Sequence, residues 1–297
     1  MSQNIQHTEP AFAQANGLTI CYDTFGDAAR APLLLVDGLG CPMIEWYDDW
    51  CVALAARRYW VIRHDNRDIG LSTKFDAAGV PDYQGAPLTD KPTVAPPYAL
   101  ADVADDCVGL MDALGIASAH VVRISMGGLI VQWLAIRHPG RLRSLTSLMA
   151  TTRNPNLPPP AHPVAPGMEA RAGSREEFIE TNTRWAQVIA GRYPPDTEAL
   201  RAHCGRLWDR GLCPAGAARQ RLAVAAAPST KEALGAVRVP SLVIHGDLDP
   251  LVSVEGGRDT AASIPGAKLL IVEGWGHGYP ARELWPMLID AIAQHAV

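Results

Sequence analysis

The sequence predicts an α/β protein: a mostly parallel, doubly wound sheet with a helical lid inserted before its last strands. Three observations predict it. Short continuous runs of β-forming apolar residues alternate with helical periodicities through the first half of the chain, as expected of strands buried on both faces. The alternation breaks at a proline-rich stretch followed by polar helical segments, and afterwards resumes. With 297 residues, 48% of them hydrophobic and 19% charged, the chain is long enough to bury a large core.

Between Gly17 and Gly26, the alternating Leu18-Thr19-Ile20-Cys21-Tyr22 reads as an edge strand or hairpin arm. The runs Pro32 to Gly38 and Tyr59 to Arg63 read as inner strands, joined by a crossover helix around Trp46 to Ala56. A helix over Leu100 to Leu114 carries Val103, Cys107, Leu110, Met111 and Leu114 at helical spacing and ends at a C-capping Gly115. It feeds the strand Val121-Val122-Arg123-Ile124, after which Leu129 to His138 reads as a helix stopped by Pro139-Gly140, and Leu142 to Met149 as a strand. Asn154 to Gly167 holds Pro155, Pro158, Pro159, Pro160, Pro163 and Pro166, a stiff entry to helical segments around Glu176 to Ile189 and Thr197 to Trp208. The sheet resumes with Val237 to Gly246 and Ala267 to Val272, and a helix near Leu284 to His295 closes the chain. The expected division is a core of residues 1–152 and 233–297 around a lid of residues 153–232.

Composition narrows the function. The formal net charge of −5 is spread without basic clusters, which removes the electrostatic basis for nucleic-acid binding or attraction to anionic membranes. No apolar run approaches the roughly 20 residues that span a bilayer, and Met1 to Leu18 lacks an apolar signal core, so the expected location is cytoplasmic. The six cysteines have no C-x-x-C spacing and read as reduced packing residues, and the nine histidines form no H-x-H or H-x-x-x-H pair. No metal and no cofactor are expected, and the partner is a small molecule; a homo-oligomer is left open.

Val121-Val122-Arg123-Ile124-Ser125-Met126-Gly127-Gly128 carries the chemistry. A strand that runs straight into a helix through one serine forces that residue into a strained turn and lifts its hydroxyl out of the sheet. A serine hydroxyl needs a base to become nucleophilic, and the base needs an orienting acid. In this architecture both follow the serine, acid then histidine, in loops beyond the carboxyl ends of later strands. His245-Gly246-Asp247-Leu248-Asp249-Pro250 and Glu273-Gly274-Trp275-Gly276-His277-Gly278 occupy those places. Singly, Ser125 is an ordinary helix N-cap, Asp249-Pro250 a turn and His277 a loop residue; their agreement in order and strand context is the signal.

With these motifs, and with Asp65-Asn66-Arg67-Asp68-Ile69-Gly70-Leu71-Ser72 after an inner strand, the chain resembles the α/β-hydrolase superfamily. The D-x-R-D-x-G-x-S pattern is similar to bacterial esterases of the aclacinomycin methylesterase type. The resemblance implies an α/β-hydrolase fold with Ser125 as nucleophile, His277 as general base then acid, and Asp249 as orienting carboxylate in preference to Asp247. It also implies an oxyanion hole formed by the backbone N–H groups of Leu39 and Met126, each worth roughly 3 to 4 kcal/mol in the transition state. The expected reaction is cleavage of a small, mostly apolar carboxylic ester, a methyl ester of a polyketide-like compound in the narrower resemblance, through an acyl-enzyme. Lactone opening, C–C cleavage, perhydrolysis, or ligand binding without turnover are the alternatives on one scaffold.

Two residues depart from the family pattern. Arg123 replaces the first glycine of G-x-S-x-G and is read either as a tolerated departure in an otherwise ordinary hydrolase or as a residue that tilts the strand, weakens the elbow or runs along an apolar wall to a carboxylate. Asp37 stands where many relatives have histidine and is expected to point away or be paired. His245 is read as a structural hydrogen-bonding residue, and Asp65 and Arg67 as knitting the loop beneath the site. Trp46, Trp185, Trp208 and Trp275 are candidates for a pocket wall or for packing.

Overall fold

A computed structural model describes residues 5–81, 92–161 and 173–296. Its eight strands are β1 (Ala11–Ala15), β2 (Leu18–Phe25), β3 (Ala31–Val36), β4 (Tyr59–His64), β5 (Ala119–Ile124), β6 (Leu142–Leu148), β7 (Ser241–Gly246) and β8 (Lys268–Val272). They form one sheet in the order β1-β2-β4-β3-β5-β6-β7-β8, with antiparallel pairing at β1–β2 and β2–β4 and parallel pairing elsewhere. The helices are α1 (Asp48–Ala55), α2 (Leu100–Ala113), α3 (Met126–Arg137), α4 (Arg175–Ile189), α5 (Thr197–Arg210), α6 (Pro214–Ala226), α7 (Lys231–Leu234), α8 (Val254–Ser263) and α9 (Trp285–His295).

The inner strands are apolar on both faces because both faces are covered. Leu34, Val36, Val121 and Leu145 pack under α2 and α3, while Leu33, Leu35, Val122 and Ile244 pack under α1 and α9. The expected α/β architecture is present. Gly115 ends α2 at φ +69°, as its capping role requires. The segment read as an edge strand or hairpin arm is a hairpin arm: Asn16 and Gly17, both at positive φ, turn β1 into β2, which leaves β1 at the edge. Strand β1 escapes a reading by periodicity because Ala11–Ala15 contains one strong β-former, Phe12.

Helices α6, α7 and α8 were not expected either. Helix α6 buries Arg219, Gln220 and Arg221 along with its alanines, so no polar face marks it as amphipathic. Helix α8 carries Gly256 and Gly257, poor helix formers that let it lie close against Thr151 and His245. Residues 154–161 hold no helix or strand, as the prolines imply, whereas Pro163 and Pro166 lie outside the described residues. Helices α4, α5 and α6 follow β6 and precede β7; Phe178, Ile179, Leu200, Cys204 and Leu207 of α4 and α5 form a small core of their own. Among the described residues no helix is long and apolar enough to cross a membrane. No disulfide joins any of the six cysteines.

Candidate active site

Strand β5 hands Ser125 directly to α3, and the serine sits at φ +53°, ψ −121°, a conformation that a non-glycine residue adopts only when its surroundings hold it there. Ser125 N–H donates to Leu148 O (3.0 Å) and its carbonyl accepts from Gly128 N–H (2.7 Å), which fixes the turn from both sides. Although Ser125 stands at the N-cap position, its side chain caps nothing. Its Oγ lies 3.1 Å from His277 Nε2.

His277 Nδ1 lies 2.8 Å from Asp249 Oδ2, completing a serine–histidine–aspartate chain from three separate loops. Asp249 is buried, and its other oxygen accepts from Leu251 N–H (2.9 Å) and Val252 N–H (2.8 Å). Burial pushes this carboxyl upward, but His277 and His245 beside it prevail and hold it well below the usual carboxylate range. An ionised Asp249 accepts a hydrogen bond from Nδ1–H, so the lone pair of His277 is on Nε2, facing the serine hydroxyl. Asp247 takes no part: its Oδ1 accepts from Gly274 N–H at 2.6 Å and braces the histidine loop.

The loop after β3 runs beside the serine, since a Cβ on Gly38 would stand 3.5 Å from Ser125 Cβ. Leu39 of that loop borders the same cavity as Ser125 and His277. Met126 is the first residue of α3, where backbone N–H groups have no intrahelical acceptor. The cavity measures about 240 Å³ and is roofed by Trp185, Ala186 and Ile189 of α4 and Leu200 and Leu207 of α5.

Residues 31–279 match the family model for the α/β hydrolase fold. The chain belongs to that family. It is 29% identical to the rhodomycin D methylesterase of Streptomyces sp. (strain C5) over 94% of this chain and 95% of that protein. It is 26% identical to 3-oxoadipate enol-lactonase 2 of Acinetobacter baylyi, over 87% and 86%. Among solved structures, the esterase RhEst1 from Rhodococcus sp. ECU1013 superposes with a TM-score of 0.73 at 21% identity, covering 97% of this chain and 100% of that one. The relatives agree with the methylesterase resemblance read from Asp65 to Ser72.

Neither departure from the α/β-hydrolase pattern disrupts the elbow. Arg123 keeps its place in the ladder between Val36 and Ser147. It does not reach a carboxylate: the side chain is fully buried, and none of its three nitrogens has a hydrogen-bond partner among the described residues. Burial pulls its pKa down to about 9. The guanidinium occupies the space over Gly128, where any Cβ would collide with it and with Ala150. Asp37 is paired, as expected: its Oδ1 accepts from Gly38 N–H (2.6 Å) and from the Tyr279 hydroxyl. Burial raises the Asp37 carboxyl well above its ordinary value, against the pull of the Tyr279 hydrogen bond. The pair thus joins the loop after β3 to the loop of His277.

His245 serves as a hydrogen-bonding brace, its Nε2 lying 2.9 Å from Val252 O and 3.3 Å from Asp249 Oδ2. Trp185 borders the cavity, Trp46 and Trp275 are core residues, and Trp208 packs on Phe178. The D-x-R-D loop does more than knit itself. Arg67 binds Asp106, but Asp65 accepts from Arg210 of α5 (2.6 Å) and Asp68 from Arg219 of α6 (2.7 and 2.9 Å). Gln220 of α6 accepts from Gly40 N–H (2.9 Å) and donates to Arg67 O (2.9 Å). Glu45 pairs with His203 of α5 at 3.1 Å. Arg210, Arg219, Gln220, Glu45, His203 and Tyr279 were not singled out from the sequence; no local motif marks them.

Proposed function

We propose that the protein is a serine esterase. The observation that carries this reading is the aligned Ser125–His277–Asp249 chain on a strained elbow at the floor of a cavity. Ser125 Oγ attacks the ester carbonyl carbon as its proton passes to His277 Nε2. The tetrahedral oxyanion is held by the N–H groups of Leu39 and Met126, while Asp249 stabilises the imidazolium. The C–O bond then breaks, His277 returns the proton to the leaving alcohol, and a water activated by the same histidine releases the acid.

Residues 153–232 form the lid in this reading, with α4 and α5 shaping the substrate pocket. The rhodomycin D methylesterases among the relatives support a methyl ester as the bond broken. The enol-lactonase relative supports lactone opening as a second reading, because the same steps cleave a cyclic ester. Release of p-nitrophenol from short-chain p-nitrophenyl esters tests the proposal: Ser125→Ala should lower turnover by more than about 10³-fold. Equal release by the two proteins would overturn it.

A further inference from the structure

The cavity wall is not uniformly apolar. Glu45, in the 3-10 turn Met43–Glu45 after β3, borders the cavity although its side chain is almost wholly buried. One oxygen is engaged: Arg206 donates to His203 Nδ1 (3.0 Å), so the ring proton is on Nε2 and donates to Glu45 Oε2 (3.1 Å). The other oxygen, Oε1, has no partner among the described residues. Asn182 behaves alike, its amide nitrogen donating to Phe178 O (2.9 Å) and leaving its oxygen to the cavity it borders. The rings of Tyr47 and Tyr279 stand 6.1 Å apart in the same wall.

We propose that this end of the cavity is a cation subsite, in which Glu45, in the same wall as Tyr47 and Tyr279, receives a protonated amine carried by the substrate. The inference rests on the esterase reading and narrows its substrate class to amine-bearing esters. A carboxylate in a mostly apolar cavity loses its water when a ligand enters, and an apolar ligand leaves that loss uncompensated. An ammonium restores a charge-assisted hydrogen bond. Glu45 Oε1 and the Asn182 oxygen are two unengaged acceptors at this end, the complement of an ammonium group.

Methyl 6-aminohexanoate and methyl heptanoate differ by NH₃⁺ against CH₃ at equal length, and their hydrolysis at pH 7 gives the test. The wild-type protein should prefer the amino ester by about tenfold or more in kcat/KM, and Glu45→Gln should abolish that preference. Glutamine retains an oxygen for His203, so a purely structural role for Glu45 would change both esters by one factor and leave the ratio intact, which would overturn the proposal. Calorimetry with hexylammonium and 1-hexanol separates this inference from the esterase reading. If neither ester turns over but hexylammonium binds the wild type more tightly than 1-hexanol and loses that advantage in Glu45→Gln, the subsite stands and the esterase reading fails. Equal binding of the two would remove the subsite whatever the turnover.

Discussion

Replacing Asp37 by asparagine should stabilise the protein progressively as the pH rises from 4 to 7. Asp37 is fully buried, and burial, with Glu45 and Asp65 nearby, holds its carboxyl well above the ordinary 3.8 despite hydrogen bonds from Tyr279 and Gly38. The unfolded chain therefore releases this proton near 3.8 while the folded chain keeps it. Above that pH the unfolded state binds fewer protons, and wild-type stability falls by about 1.4 kcal/mol per pH unit until the folded carboxyl itself ionises. Below it both states are protonated and the effect vanishes. Asparagine retains the oxygen that accepts from Gly38 and Tyr279 but does not titrate, so the Asp37→Asn minus wild-type difference should grow with that slope. Urea unfolding followed by circular dichroism at half-unit steps measures it, with turnover staying within a few-fold of wild type. A difference independent of pH would mean that Asp37 is ionised in the fold and would refute the reasoning. Asp37→Ala should instead lose about 1–3 kcal/mol for each of the two buried donors it strands, and turnover with it, as the Leu39 loop loses its tie to Tyr279.

Arg123→Met should stabilise the fold by about 1–4 kcal/mol at pH 7, since it replaces a buried charge without a hydrogen-bond partner by an apolar chain of similar length. The folded guanidinium titrates at about 9 against an ordinary 12.5, so the penalty is complete below pH 9 and the advantage of methionine shrinks above it. Urea midpoints at pH 7 and 10 check both parts, and a less stable variant would refute them; ester turnover should be retained because the ladder around Arg123 is intact. Arg219→Met should cost about 3–5 kcal/mol, because it leaves the fully buried Asp68 with the Tyr98 and Phe75 hydrogen bonds but without its counter-charge. Adding Asp68→Asn should recover part of that loss in the same unfolding assay.

The candidate triad was legible because backbone geometry encodes it. A strand that turns into a helix through Ser125, and loops at the ends of β7 and β8 carrying Asp249 and His277, are local patterns whose convergence follows from a parallel sheet. Asn16-Gly17 was an equally local hairpin signal, and it marks β1 more clearly than the strand's own residues do. Helices α6 and α8 were not legible, for opposite reasons: one buries its polar residues, and the other uses glycines to approach its neighbours.

The contacts that hold α5 and α6 over the sheet were beyond local reading, since each joins residues far apart in the chain. Asp65 meets Arg210, and Asp68 meets Arg219, across 145 and 151 positions. Gln220 reaches Gly40 across 180. Asp65 and Asp68 sit in a tight loop, so the sequence identified their loop as organised without revealing that its charges face another segment. The loop that carries Leu39 is thereby gripped from two directions, by Gln220 through Gly40 and by Tyr279 through Asp37. Hydrogen-bond donors for an oxyanion act by being fixed before charge develops, and in the proposed esterase α5 and α6 take part in fixing them. Helices α5 and α6 are in that sense part of the proposed catalytic apparatus as well as its roof.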